Sequence, residues 1–277
     1  MDRIVSEFYQ ENLQIKASSG INFQFDTKNY FIYEVIRTTN GVLLFLEDHL
    51  NRMKTGLSGF DLKKNYCESD IRNILLQLLL ANRNRIGNIK LLCKIFKKEL
   101  FYAAYYIAHE YPSEQMYRKG IKLTTYIIER PDPNIKQVVI SERIRKTIDN
   151  TKIQTSAYEI LLVDHNGCIT EGSKSNIFFV KDKKLYSPPE DKILKGITRK
   201  HVLQIARKNK IGVNFIQIKL LDVNQYDSAF ICGTSPKVMP VKSIDSNYLV
   251  VNNKITDLIL REYDNDIQSY IKNLKYE

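Results

Sequence analysis

The chain has 277 residues, 43% hydrophobic and 26% charged, with 42 Lys and Arg against 31 Asp and Glu for a net charge of +11. Apolar content of that order in a chain this long builds a substantial core, which excludes whole-chain disorder and leaves one large domain or two ordinary ones. The basic residues are spread along the chain, and no helix gathers them between aromatics, so nucleic acid is not the expected partner; a basic nucleic-acid-binding protein is kept as the alternative from another class.

In chain order, the pattern predicts strands over 22–26, 30–38 and 42–46, with Asn40-Gly41 as the hairpin turn between the last two. A helix follows over 47–58, with Leu50, Met53 and Leu57 at helical spacing. Ser69-Asp70 can cap a second helix whose apolar positions are Ile71, Ile74, Leu75, Leu78 and Leu79. Strands over 89–96 and 100–109 form a hairpin through Lys97-Lys98-Glu99. Residues 129–134 hold two prolines and read as a crossing loop. Then come a helix over 138–151 with Ile140, Ile144 and Ile148 four apart, strands over 159–164, 176–181 and 184–186, a helix over 198–208, a strand over 228–232 and a final helix over 256–274. No repeat or low-complexity segment interrupts this order. The mixture predicts an α/β protein of two domains: a smaller α+β domain over 1–120, an interdomain crossing over 121–135 and a larger domain over 136–277.

No apolar run approaches the roughly 20 residues of a membrane span, and the N-terminal residues lack the apolar stretch of a signal peptide. Cys67, Cys93, Cys168 and Cys232 lie far apart and form no CxxC, which argues against a zinc site or a disulfide scaffold. The expectation is a reduced, cytoplasmic enzyme. His49, His109, His165 and His201 form no metal-binding pair, so no metal is expected. GxSxG, GxxxxGKS and GxGxxG are all missing.

Three stretches of the second half have the residue types of a ligand site. In the first, Glu171-Gly172 and small polar residues lead into the apolar strand Asn176-Ile177-Phe178-Phe179, which puts one carboxylate at a tight turn. The second, Gly196-Ile197-Thr198-Arg199, opens an amphipathic helix, whose N-terminal amides attract an anion. In the third, a strand ends in Gly233-Thr234-Ser235, again with open amides and hydroxyls. Each alone is an ordinary turn. Two anion-friendly turns and one special carboxylate together suggest a phosphorylated cofactor with a basic ring nitrogen.

The order of these motifs resembles a known family. The run Asp164…Gly167…Thr170-Glu171-Gly172…Asn176-Ile177-Phe178-Phe179-Val180…Pro188-Pro189…Gly196-Ile197-Thr198-Arg199 is similar to the signature of the class IV, or fold-type IV, pyridoxal-phosphate-dependent aminotransferases. That group includes branched-chain and D-amino-acid aminotransferases and aminodeoxychorismate lyase. Tyr33-Glu34-Val35-Ile36-Arg37, Gly41 and Glu47-Asp48-His49-Leu50-Asn51-Arg52-Met53 agree in the first half, and Tyr226-Asp227…Gly233-Thr234-Ser235 near the end. The likeness runs from about residue 30 to about 245. It implies a pseudo-barrel in the larger, cofactor-binding domain and a homodimer with the active site near the interface.

Carried over by position, the resemblance implies that Glu171 holds the protonated pyridine nitrogen of pyridoxal 5′-phosphate, making the ring an electron sink. Arg52 would pair with the cofactor phosphate, which suits a guanidinium fork. The amides of Ile197 and Thr198 and the Gly233-Thr234 turn would complete the phosphate cup. Tyr33 sits where some members bind a substrate carboxylate; strand packing is the alternative for Tyr33, and His49 reads as structural. The Schiff-base lysine implied is Lys136, after the proline-rich loop and 35 residues before Glu171. Lys146 and Lys152 are its rivals, and each leaves too little chain before Glu171. Gln137-Val138-Val139 stand where many relatives carry Thr or Ser and then Asn.

The activity implied is transfer of an amino group between a small or branched-chain amino acid and a 2-keto acid, with a lyase that releases pyruvate as the alternative. The substrate strand departs from the family. Residues 88–106 offer Lys90 and Lys94 where relatives often carry Arg and Gly, and the Arg-x-His carboxylate trap of D-amino-acid aminotransferases is not visible. Tyr102, Tyr105 and Tyr106 read as core or subunit contact before pocket lining.

Overall fold

A computed structural model describes residues 3–19, 30–63, 66–83, 86–130, 132–137 and 145–274 in full, and residues 20 and 138–144 in their backbone course. The strand expected over 22–26 lies outside the described residues. The chain divides into two compact units: unit 1 holds residues 1–110, 135–142 and 269–277, and unit 2 holds 111–134 and 143–268. The sequence reading drew one crossing at 121–135. Instead, residues 121–127 form a strand of unit 2, because Ile121 and Leu123 alternate inward into its core. Residues 135–142 belong to unit 1, where the Tyr33 N–H donates to the Lys136 carbonyl at 3.1 Å and Ile135 packs on the core.

Unit 1 is built on a six-stranded sheet. Its strands are β1 (Phe8–Glu11), β2 (Gln14–Ala17), β3 (Tyr30–Thr39), β4 (Val42–Leu43), β5 (Gly87–Phe96) and β6 (Glu99–Ile107), in the order β2-β1-β6-β5-β3-β4. All of these pairs are antiparallel. The β3–β4 turn has Asn40 at φ 50° and Gly41 at φ 78°, the positive pair a two-residue hairpin needs. Lys97 and Lys98, at φ 50° and 67°, do the same between β5 and β6. The strand expected over 42–46 stops at Leu43, because Phe45 turns into the left-handed region and starts helix α1 (Leu46–Leu57).

Leu46, Leu50, Met53 and Leu57 of α1 are buried, as are Ile71, Ile74, Leu75, Leu78 and Leu79 of α2 (Glu68–Ala81). These stripes pack on Ile32, Ile36, Ile89, Leu91 and Cys93 from one face of the sheet. The expected cap at Ser69-Asp70 lies inside α2, whose N-cap is Cys67. Glu68 and Asp70 fall in the first turn, where carboxylates complement the helix dipole.

Unit 2 carries a ten-stranded mixed sheet. Its strands are β7 (Ile121–Ile127), β8 (Glu159–Val163), β9 (Cys168–Gly172), β10 (Asn176–Lys181), β11 (Lys184–Ser187), β12 (Val213–Phe215), β13 (Ile218–Lys219), β14 (Ser228–Gly233), β15 (Lys237–Ile244) and β16 (Asn247–Tyr248). The order is β12-β11-β10-β14-β15-β7-β8-β9-β13, and β16 pairs with β15. The parallel pairs are β15/β7, β7/β8 and β11/β12. The sequence pattern hides β15 because Pro240 interrupts it. The structure accommodates this proline just before the β7 ladder begins at Val241.

The remaining helices are α3 (Glu114–Lys119), α4 (Val138–Thr155), α5 (Ile197–Lys208) and α6 (Lys254–Leu274). Val202, Ile205 and Ala206 of α5 are buried, as predicted, and α5 packs on β14. No helix among the described residues is long and apolar enough to cross a membrane.

Candidate active site

The sequence-predicted site residues fall into two groups, one in each unit. In unit 1 they gather on β3 and α1. The Tyr33 N–H bond to Lys136 and the bridge from Ile32 to Gln137 lay the Lys136 segment against β3. Lys136 Nζ stands 5.1 Å from the centre of the Tyr33 ring, and Lys90 Nζ, from β5, stands 4.7 Å from the same ring. Tyr33 is therefore flanked by two lysines, one of them the buried Lys90.

Arg52 is fixed by a carboxylate to which the sequence reading gave no role. Its Nε donates to Glu34 Oε1 at 2.8 Å and its Nη2 to Oε2 at 2.5 Å, a two-point grip that sets the plane of the guanidinium. His49 Nδ1 lies 2.8 Å from Glu34 Oε2. Burial pushes the Glu34 carboxyl up, but Arg52 and His49 together hold it well below the ordinary carboxylate range. Burial pushes the His49 pKa down, against the pull of Glu34. Burial thus favours the neutral imidazole at His49, whose Nδ1 is within hydrogen-bond distance of Glu34.

In unit 2 the sites meet around Glu171, at the end of β9 and buried. Arg130 Nη1 donates to its Oε1 at 2.5 Å. The Leu194 N–H donates to Oε2 at 2.9 Å, and Asn176 Nδ2 lies 3.3 Å from the same oxygen. Asn176 Nδ2 also donates to the Leu194 carbonyl at 2.8 Å, which ties the carboxylate to the segment entering α5. Gly196 caps α5 with no side chain of its own, and a Cβ there would lie 2.1 Å from Asn176 Oδ1. Only glycine lets the start of α5 come this close. The amides of Ile197 and Thr198 are in the first turn, where a helix has no carbonyl of its own to offer them. Thr198 is buried, with Oγ1 3.3 Å from the Tyr263 hydroxyl on α6. Gly233 ends β14, and Thr234 and Ser235 form the loop to β15, which Tyr117 of α3 braces by donating to the Pro236 carbonyl at 2.9 Å.

A further buried carboxylate, Glu159 of β8, holds the turn after Glu171. Its Oε1 accepts from the Lys174 N–H at 2.5 Å and from Ser173 Oγ at 3.3 Å. A Cβ on Gly172 would lie 2.7 Å from that oxygen, so the glycine leaves room for the Glu159 carboxylate. Burial pushes Glu159 above the ordinary carboxylate value, with the Lys174 amide pulling the other way.

Arg130, Glu159 and the role of Glu34 were missed by the sequence reading. Arg130 lies beside the flagged proline loop, and no spacing rule joins it to a carboxylate 41 residues later. Glu34 stood inside a quoted motif, one residue after Tyr33.

The donor set suits pyridoxal phosphate. Glu171 is a buried carboxylate fit to accept a ring N–H. Within unit 2, the α5 amides and the buried Thr198 are groups that bind phosphate. A family model described as amino-transferase class IV matches residues 32–244. D-alanine aminotransferase of Bacillus licheniformis is 27% identical over 225 residues, 77% of this chain and 78% of that one. A probable branched-chain-amino-acid aminotransferase of Rickettsia conorii is 29% identical over 245 residues, 84% of each chain. The crystal structure of a branched-chain amino acid aminotransferase from Thermobaculum terrenum in its PLP form superposes with a TM-score of 0.77 at 19% identity, covering 99% of this chain and 97% of that one.

Proposed function

The chain belongs to the class IV aminotransferases, and from that premise we propose that it uses pyridoxal 5′-phosphate to move the amino group of a small or branched-chain amino acid to a 2-keto acid. The observation that carries the reading is Glu171, a buried carboxylate tied through Asn176 to the glycine-capped start of α5. The relatives with branched-chain and D-alanine substrates support the substrate class.

When bound, the cofactor supplies a carbonyl carbon for amines and a ring that takes up the electron pair of a broken Cα–H bond. Lys136 Nζ would be the amine that holds the cofactor's carbonyl carbon and the base that takes and returns the substrate's Cα proton. Glu171 accepts the ring N–H. Arg52, the amides of Ile197 and Thr198, and the Gly233-Thr234 turn hold the phosphate. Tyr33 orients the substrate carboxylate. The reading includes a homodimer in the cytoplasm; four unpaired cysteines fit a reducing compartment.

The test is an absorption spectrum with added pyridoxal phosphate before and after borohydride, with mapping of the labelled peptide and an assay of amine exchange. The expected result is a visible band that borohydride abolishes, a label on Lys136 and exchange with a keto acid. A label on Lys146 or Lys152 overturns the lysine assignment. Pyruvate release from aminodeoxychorismate without exchange makes the enzyme a lyase. Salt-sensitive nucleic-acid binding with no band overturns the reading.

A further inference from the structure

We propose that Arg130 is a positioning residue that decides where the proton lies between Glu171 and the ring nitrogen of the bound cofactor. The inference rests on the reading above that Glu171 receives that nitrogen. Arg130 and Glu171 are both largely buried, with side-chain exposures of 13% and 3%, and Nη1 is 2.5 Å from Oε1. Arg130 Nε is buried and has no hydrogen-bond partner among the described residues, so Glu171 is the group that anchors this guanidinium.

Each neighbouring element brings a different group towards Glu171. The segment before α5 brings the Leu194 N–H, and β10 brings the amide of Asn176. From β8, Glu159 reaches the next turn through Ser173 and the Lys174 N–H, and its burial favours the neutral acid. Among the described residues, Arg130 is the cation recorded in contact with Glu171.

A cation in contact with a carboxylate makes it a weaker base, whereas burial alone makes it a stronger one. A single proton shared between Glu171 and a pyridine nitrogen goes to the stronger base. With Arg130 charged, that base is the nitrogen, and the ring is a cation able to take up electrons. With the charge removed, the same proton passes from nitrogen to the Glu171 oxygen, and the ring becomes neutral. No other reactant is consumed or released.

The experiment loads the wild-type protein and the variants R130Q and R130K with ¹⁵N-labelled pyridoxal phosphate and reads the ring-nitrogen resonance against pH. The wild type is expected to show a protonated nitrogen, and R130Q a resonance moved to the unprotonated position at neutral pH. R130K is expected to match the wild type at neutral pH and to depart from it towards pH about 10, as the lysine loses its proton; arginine has no such step. If R130Q does not fold, the R130K profile alone decides. An unmoved resonance in R130Q, or a flat R130K profile through that range, overturns the role of Arg130. A wild-type protein that takes up no cofactor overturns the proposed function instead.

Discussion

Glu34 in unit 1 and Glu159 in unit 2 are both buried carboxylates on strands, yet they lie on opposite sides of the ordinary value of 4.5. Desolvation pushes both up. Glu34 has a guanidinium on both oxygens and an imidazole on one, and these overcome it. Glu159 has a backbone amide and a hydroxyl, which do not. Burial therefore says little about the charge of a carboxylate until its partners are named. Glu171, like Glu34, holds a guanidinium.

The largest effect is expected at Glu34. E34Q leaves Arg52 and His49 facing a neutral amide in a buried place, and removing one partner of a buried pair costs about 3–5 kcal/mol. Urea unfolding at pH 7 should show a loss of that size; a loss under about 1 kcal/mol would mean that the grip on Arg52 is solvated after all. The pH dependence has a fixed sign. The folded-state value of Glu34 is depressed, so its contribution is present above about 4.5 and is lost as pH falls below that. E34Q should lack this part of the acid-induced loss.

The next effect lies on the Glu159 side. In G172A the new Cβ would meet Ser175 Oγ at 2.2 Å and Glu159 Oε1 at 2.7 Å. Both atoms end side chains, so they move, but Glu159 then leaves the Lys174 N–H. Overpacking of this kind costs about 1–3 kcal/mol. Thermal unfolding of the cofactor-free variant reads it, and an unchanged transition would show that the turn has slack.

How much of this was legible in the sequence depends on the range of the interaction. The α1 and α2 stripes and the Asn40-Gly41 hairpin are local patterns of period and turn chemistry, and the structure has them. The turn after Glu171 was legible because glycine and small residues follow it. Its partner Arg130 was not, since an ion pair between a loop and a strand leaves no period. β7 was hidden in the expected crossing, and β15 by Pro240, because strand propensity says little about which ladder positions need an N–H. The Glu34 grip on Arg52 joins a strand to a helix 18 residues on, and no spacing rule reports such a pair.

The contrast between the units extends to helix ends. α1 is capped from afar: its N-cap Phe45 offers no side-chain bond, and Tyr270 closes the end by accepting from the Leu46 N–H at 3.1 Å and donating to Glu47 at 2.7 Å. The N-cap of α5 is Gly196, which brings no side-chain bond of its own. Y270F should therefore cost about 0.5–1.5 kcal/mol in urea unfolding. No loss would mean that water replaces the hydroxyl.

E159Q should have the smallest effect, with a pH dependence opposite in sign to that of E34Q. The amide oxygen can accept from the Lys174 N–H as the carboxylate does, so the variant should lie within about 1 kcal/mol of the wild type. Glu159 has a raised folded-state value. Its contribution is therefore fully present below about 4.5 and is lost as pH rises through that raised value. Glutamine does not ionise and suffers no such loss. In paired urea titrations the stability of E159Q should rise relative to wild type as pH rises above about 4.5, whereas the deficit of E34Q should shrink as pH falls below about 4.5 and stay level above it. If both variants drift in the same direction, the partners assigned to one of these carboxylates do not set its charge.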